Sequence, residues 1–351
     1  MENSKRMITF REALTEAMVQ AMQKDPNIFV YGIDVADHRR IFGSTFGLVE
    51  KFGPGRCFST PLSEDALAGF GLGAAINGLK PIFIHIRIDF VLLAMNQIVN
   101  MISTFSYLTG GKLKAPFIIR AIIGRGWGQG MQHSKALHAL FAHIPGLKVV
   151  LPSTPRDAKG LMISALKDNN PVIFLEHRWL YDIIGEVNPS PEASVPLGKG
   201  NILRQGKDVT IVATSWMNIE ATKAAEILAK RGISVEIIDP RTIEPLDSEL
   251  IYMSVKKTGH CIVADYDWIN CGFSSEVAAR VQENCLQEMK SPVTRIGFAP
   301  TPCPTTRTLE NLFYPNAVDI IRAVEQKLKL SQTDLSGEEF YSFENKFKGP
   351  F

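Results

Sequence analysis

Short β-branched apolar runs alternate with segments of helical periodicity, and this alternation leaves the chain few architectures. Residues 8–24 place Phe10, Leu14, Met18 and Met22 on one face of a helix, and residues 28–32 follow as a buried strand. Residues 63–77 read as a helix with Ser63 at its N-cap. Strands are expected within 81–90, 115–123 and 148–151, with helices over 92–107 and 154–168. The stretch from Pro189 to Pro196 breaks the rhythm, after which it restarts: strands over 209–213, 234–238 and 261–265, and helices over 218–231 and 274–288. Strands alternating with helices argue for parallel sheets and an α/β fold. A chain of 351 residues needs two cores. The expected division is a first domain at 1–188, a linker at 189–200, a second domain at 201–330 and a surface-lying polar tail at 331–351.

Charge excludes several partners. A net charge of +2 with no Lys/Arg block leaves no electrostatic footprint for nucleic acid or an anionic membrane. No apolar run reaches the roughly 18 residues of a membrane span, and the polar start lacks the apolar core of a leader. Five scattered cysteines, with no CxxC pair, point to reduced thiols. The expectation is a soluble protein of the cytoplasm or an organelle matrix.

Two glycine-rich stretches are misleading. Gly69-Phe-Gly71-Leu-Gly73, with Asp89 further on, resembles a dinucleotide fingerprint. Its glycines fall inside a helical run, however, and so read as small residues for close helix–sheet packing. Residues 124–130, Gly-Arg-Gly-Trp-Gly-Gln-Gly, lack the Lys-Ser/Thr ending of a phosphate loop. Along 84–89, alternation places His85, Arg87 and Asp89 on one face of a central strand, as a structural ion cluster.

An ordered set of motifs carries more than any one of them. Thr60-Pro-Leu-Ser-Glu64 precedes Ala68-Gly69, Asp89-Phe90 and Gln132-His133-Ser134. Then come Pro145-Gly-Leu-Lys-Val-Val150, Asp157-Ala-Lys-Gly160, Asp168-Asn-Asn-Pro171 and Arg241-Thr-Ile-Glu-Pro-Leu-Asp247. Together they resemble the beta subunit of thiamine-diphosphate-dependent 2-oxo acid dehydrogenases, from about residue 9 to 330.

The resemblance implies a pyrimidine-type domain with a parallel sheet, followed by a transketolase C-terminal-like α/β domain. It implies thiamine diphosphate shared with an alpha-type subunit, in an assembly of two alpha and two beta chains. Glu64 matches the glutamate that hydrogen-bonds the cofactor's pyrimidine nitrogen, and Phe90 the aromatic packed on that ring. Leu62 and Ile86 match apolar neighbours. His133 matches a histidine suited to proton transfer or to guiding acyl transfer onto a lipoyl group of an acyltransferase partner. Phe117, Ala165, Asp168 and Asn170 match a potassium site built largely from carbonyl oxygens. No Gly-Asp-Gly motif for magnesium occurs in the chain, so magnesium and the diphosphate fall to the partner. Two positions depart from the pattern: Ile33 stands where relatives carry glutamate, and Arg87 where they carry Thr or Phe. The implied activity is oxidative decarboxylation of a 2-oxo acid. The alternatives are a split transketolase-type ketol transferase subunit and a non-catalytic assembly subunit.

Overall fold

The computed structural model describes residues 6–125 and 128–340. It divides into two compact units: 1–124, 136–197 and 242–245 in the first, and 125–135, 198–241 and 246–351 in the second. The main boundary falls inside the expected linker, but each unit is assembled from separated stretches of chain. One reason lies in the backbone: Thr242–Glu244 adds antiparallel to Lys148–Val150 and so extends the first unit's sheet.

That sheet has a parallel core of β1 (Ile28–Gly32), β2 (Cys57–Ser59), β3 (Lys80–His85), β4 (Ile118–Ile123), β5 (Lys148–Val150) and β6 (Val172–His177). From the edge made by Thr242–Glu244, the order is β5-β6-β4-β3-β1-β2. The strands read as near-continuous apolar runs because helices cover a parallel sheet on its faces. Helix α1 (Phe10–Lys24) starts at a capping box, with Thr9 and Glu12 bonding each other's backbone. It buries Phe10, Leu14, Met18 and Met22, the residues on the expected face. Helix α2 (Glu64–Ile76) presses Gly71 so close that a Cβ there would lie 2.3 Å from the Tyr31 hydroxyl oxygen and 2.5 Å from Phe117 Cζ. Gly71 is therefore a packing device, whereas a Cβ at Gly73 would meet nothing within 4 Å.

The single strand expected to carry His85, Arg87 and Asp89 on one face ends early. β3 stops at His85, the chain bends, and Arg87 becomes the N-cap residue of the short helix α3 (Ile88–Val91). Alternation alone does not show where an apolar run changes from strand to helix. Arg87 is buried and donates to the Gly124 carbonyl (2.9 Å), and burial pushes His85 down to about 3, leaving it uncharged. The single helix expected over 92–107 is also broken. A 3₁₀ turn at Leu92–Ala94 leads into a π-helical stretch at Asn96–Ile102, and the two halves of 88–108 meet at 60°. Helix α4 (Pro155–Lys167) begins with Thr154 as N-cap and Pro155 in its first turn. It packs on α1, where Lys159 Nζ donates to Glu16 Oε1 (2.6 Å).

In the second unit, β7 (Asn201–Arg204), β8 (Val209–Ala213), β9 (Val235–Asp239), β10 (Cys261–Trp268) and β11 (Thr294–Phe298) form a sheet of order β11-β10-β8-β9-β7. All pairs are parallel except β7 with β9. Its helices are α5 (Met217–Ala229), α6 (Ser248–Thr258), α7 (Phe273–Cys285), α8 (Arg307–Phe313) and α9 (Ala317–Leu328). The start of the tail is strapped down: Arg231 donates to the Ser331 carbonyl (2.7 Å) and Thr333 N–H to Glu325 (2.6 Å). Residues 341–351 of the expected tail lie outside the described residues. No single helix among the described residues is long and apolar enough to cross a membrane.

Candidate active site at the strand ends of the first unit

From β1 the chain runs to β2 on one side of it and to β3 on the other. Such a reversal leaves a crevice at the carboxyl ends of the strands, where open α/β sheets bind ligands. Gly32 is in register with Ser59 on one side and Ile84 on the other. Consequently Ile33, Thr60 and His85 emerge side by side. Gly32 permits the close approach: its φ is +147°, and a Cβ there would sit 2.2 Å from the Ile84 carbonyl oxygen.

The loop after β2 delivers Glu64 to the first position of α2. Ser63 is at the N-cap, as expected, although its side chain makes no capping bond. Glu64 is 8% exposed, and its carboxylate accepts no hydrogen bond among the described residues. A buried carboxylate normally has partners, so this one is suited to a donor from outside the unit. Ile86 and Phe90, both half-buried, follow the end of β3. Leu62 lies in the Glu64 loop and is 78% exposed. Two further buried polar atoms at the strand ends lack partners: Thr60 Oγ1 after β2 and His85 Nε2 on β3. Each costs about 1–3 kcal/mol while unsatisfied. His85 was read as part of an ion cluster, and nothing in the sequence marked its ring nitrogen as an orphan. A carboxyl flanked by neutral orphan groups and apolar side chains fits a flat heterocycle with ring and exocyclic nitrogens, such as a pyrimidine.

His133 belongs to 125–135, the stretch grouped with the second unit, and follows a 3₁₀ turn at Gly130–Gln132. The four residues expected to form a potassium site lie near the carboxyl end of α4. The Asp168 backbone N–H donates to the Ala165 carbonyl (3.2 Å), and the Phe117 carbonyl accepts from Val172 N–H (2.9 Å), two residues past Asn170. Burial would raise the Asp168 carboxyl, but hydrogen bonds from Lys148 and Asn170 outweigh it and hold the group below the usual range. The site's one carboxylate is thus already matched by an ammonium group. The carbonyls keep their second lone pairs, oxygen donors of the kind a potassium ion takes. Among the described residues, no group of three or more His, Cys, Asp or Glu side chains is placed to hold a metal.

Comparison with known proteins agrees with this layout. Residues 6–183 match the family described as the transketolase pyrimidine binding domain, and residues 198–320 the transketolase C-terminal domain. A two-domain fold with an open crevice at the pyrimidine sheet defines a thiamine-diphosphate class of protein. The chain belongs to the beta-subunit family of the thiamine-diphosphate-dependent 2-oxo acid and acetoin dehydrogenases. It is 41% identical to the acetoin:2,6-dichlorophenolindophenol oxidoreductase subunit beta of Cupriavidus necator, over 92% of this chain and 98% of that one. It is 40% identical to the pyruvate dehydrogenase E1 component subunit beta of Rickettsia bellii, over 91% and 98%. Among solved structures it resembles a split-gene transketolase described as an inactive beta4 tetramer, with a TM-score of 0.75, 26% identity and coverage of 93% of this chain and 99% of that one.

Proposed function

We propose that this chain is the beta half of an oxidative decarboxylase for a 2-oxo acid, completed by an alpha-type subunit in an assembly of two alpha and two beta chains. The observation that carries the reading is Glu64: a largely buried residue at the sheet's crevice whose carboxylate accepts no hydrogen bond among the described residues. Glu64 would hold the pyrimidine nitrogen of thiamine diphosphate and keep a proton there, while Phe90, Ile86 and Leu62 shield that bond from water. Bound in this way, the cofactor supplies an electron sink for decarboxylation. His133 serves proton transfer or the passage of the acyl group to a lipoyl acceptor on an acyltransferase partner. Phe117, Ala165, Asp168 and Asn170 hold a potassium ion that supports the end of α4.

The high exposure of Leu62 supports the need for a second chain, because a side chain so exposed walls off nothing by itself. So does the missing Gly-Asp-Gly motif, which leaves magnesium and the diphosphate to the alpha-type subunit. Glu64→Gln in the co-expressed assembly should lower decarboxylation, followed with an artificial electron acceptor, on the order of 100- to 10,000-fold, with assembly unchanged. Near-normal turnover would sink the assignment. Calorimetry on the isolated chain should show weak cofactor binding that becomes tight on adding the partner.

A second reading, a subunit of a split transketolase, draws support from the likeness to that structure. Ketol transfer between sugar phosphates, without turnover of any 2-oxo acid, would establish it instead.

A further inference from the structure

The stretch around His133 is anchored on both sides, and the anchors come from sequence far downstream. At its start, the Arg125 guanidinium donates to Asn311 Oδ1 (2.6 Å) and Glu310 Oε2 (3.2 Å) and lies 5.0 Å from the centre of the Tyr314 ring. The Arg125 backbone N–H donates to the Tyr266 hydroxyl (3.3 Å). In the middle, Gly130 has φ +63°, and a Cβ there would lie 3.0 Å from Thr305 Oγ1. At its end, the Tyr314 hydroxyl donates to the Ser134 carbonyl (3.0 Å). Between these points Met131 and Gln132 are exposed, His133 is half-buried and Ser134 is buried. The half-buried histidine therefore sits next to a pinned residue.

The post itself is rigid. Tyr314 is 4% exposed, stacks on Tyr266 at 5.4 Å and meets Phe298 edge-on at 5.1 Å. Such packing fixes where its hydroxyl points. Burial raises Tyr314 well above the usual tyrosine range, so the hydroxyl remains a donor throughout neutral and mildly alkaline pH. The Cys303 thiol donates in turn to its oxygen (3.7 Å).

We propose that Tyr314 is a positioning residue for His133: its hydroxyl fixes the backbone beside the histidine and so sets the orientation in which the imidazole meets an incoming acceptor. The proposal rests on the acyl-transfer role assigned to His133 above. Tyr314→Phe keeps the stacked ring and removes the tether, together with the weak bond from the Cys303 thiol, which also reaches the Pro304 carbonyl.

In the intact alpha–beta assembly, Y314F should slow reductive acylation of a lipoyl domain about tenfold in kcat, a loss typical of one hydrogen bond that serves the transition state. The KM for the lipoyl domain and turnover with an artificial acceptor should each stay within about twofold. Hydrogen–deuterium exchange over 128–135 should quicken about tenfold, while exchange in α5 and β8 stays as in the wild type. A merely structural role would lower both activities together, and that result overturns the proposal. So does unchanged acylation, or unchanged exchange over 128–135. His133→Ala, assayed in parallel, separates the two ideas: loss of acylation there with none in Y314F rejects the tether alone, whereas no loss in His133→Ala rejects the functional reading beneath it. Should Y314F fail to assemble, Gly130→Ala disturbs the same stretch from its other side and must give the same split.

Discussion

Glu176→Gln offers a sharp test of how the first unit is held together. Arg120 on β4 and Glu176 on β6 form a two-bond pair, Nε to Oε1 at 2.5 Å and Nη2 to Oε2 at 2.7 Å, with both side chains 1% exposed. The Tyr181 hydroxyl adds a bond to Oε2 at 2.6 Å, and Arg120 also reaches Ser44 Oγ at 3.1 Å. The amide is nearly isosteric with the carboxylate, so packing survives while Arg120 is left a buried, uncompensated cation. Breaking such a pair from one side costs about 3–5 kcal/mol, which for a unit of this size lowers the melting temperature by about 6–20 °C. Urea titration followed by circular dichroism reads the loss directly. The double variant Arg120→Met/Glu176→Leu should be less than half as destabilised as Glu176→Gln, because hydrophobic replacement of a buried pair is close to neutral. It still strands Ser44 and Tyr181. A loss below about 1 kcal/mol in the single variant, or a double variant no better than it, would refute the claim that uncompensated charge drives the effect.

Three further outcomes are expected. Glu220, whose carboxylate accepts from Trp216 Nε1 (2.8 Å) and Ala317 N–H (3.0 Å), is pushed up by burial to about 7. The native state therefore holds a proton that the unfolded chain releases, so this group's stabilisation is complete below about pH 4.5 and lost as pH rises through about 7, by up to about 3 kcal/mol. Urea midpoints measured from pH 4 to 8 should show that decline in the wild type and a flatter curve in Glu220→Gln. Gly71→Ala must displace both Tyr31 and Phe117, or the helix itself, and should cost about 1–3 kcal/mol, read from the thermal midpoint. Ile33→Glu puts a carboxylate at the carboxyl end of β1, beside Thr60 and His85, and in the assembled enzyme should change the rate of cofactor activation seen by stopped flow. An identical rate would place residue 33 outside the site.

What could be read from the chain beforehand follows physical lines. Helices α1 and α2 were legible because their apolar residues repeat over several turns, and β1 and β8 through β10 because each is a β-branched apolar run bounded by helical segments. Strand β6 was passed over: Val172 to His177 ends in the ionisable pair Glu176 and His177. Arg120 and Glu176 each stand in a buried strand, and their pairing, 56 residues apart, has no signal in the sequence. Glu64 stood out by its place in the ordered set of motifs, not by its own position at a helix start, and such motifs are carried by side chains. The anchors of the His133 stretch did not stand out. They are side chains contributed from 266–314, Tyr266, Glu310, Asn311 and Tyr314, and nothing in the order of the residues ties them to a stretch so far upstream.

The division of the chain also bears on how such proteins can be cut and recombined. It passes between the two units five times, at 124/125, 135/136, 197/198, 241/242 and 245/246. A gene fusion that exchanged everything after residue 197 for a relative's sequence would leave 125–135 facing foreign partners for Arg125 and Ser134. It would also import an unfamiliar edge strand against Lys148–Val150. Viable crossovers should therefore carry the short inserts along with the unit that holds them, as three-piece grafts. In lineages that recombine freely, 125–135 should be inherited together with 303–314 rather than with its immediate neighbours in the gene.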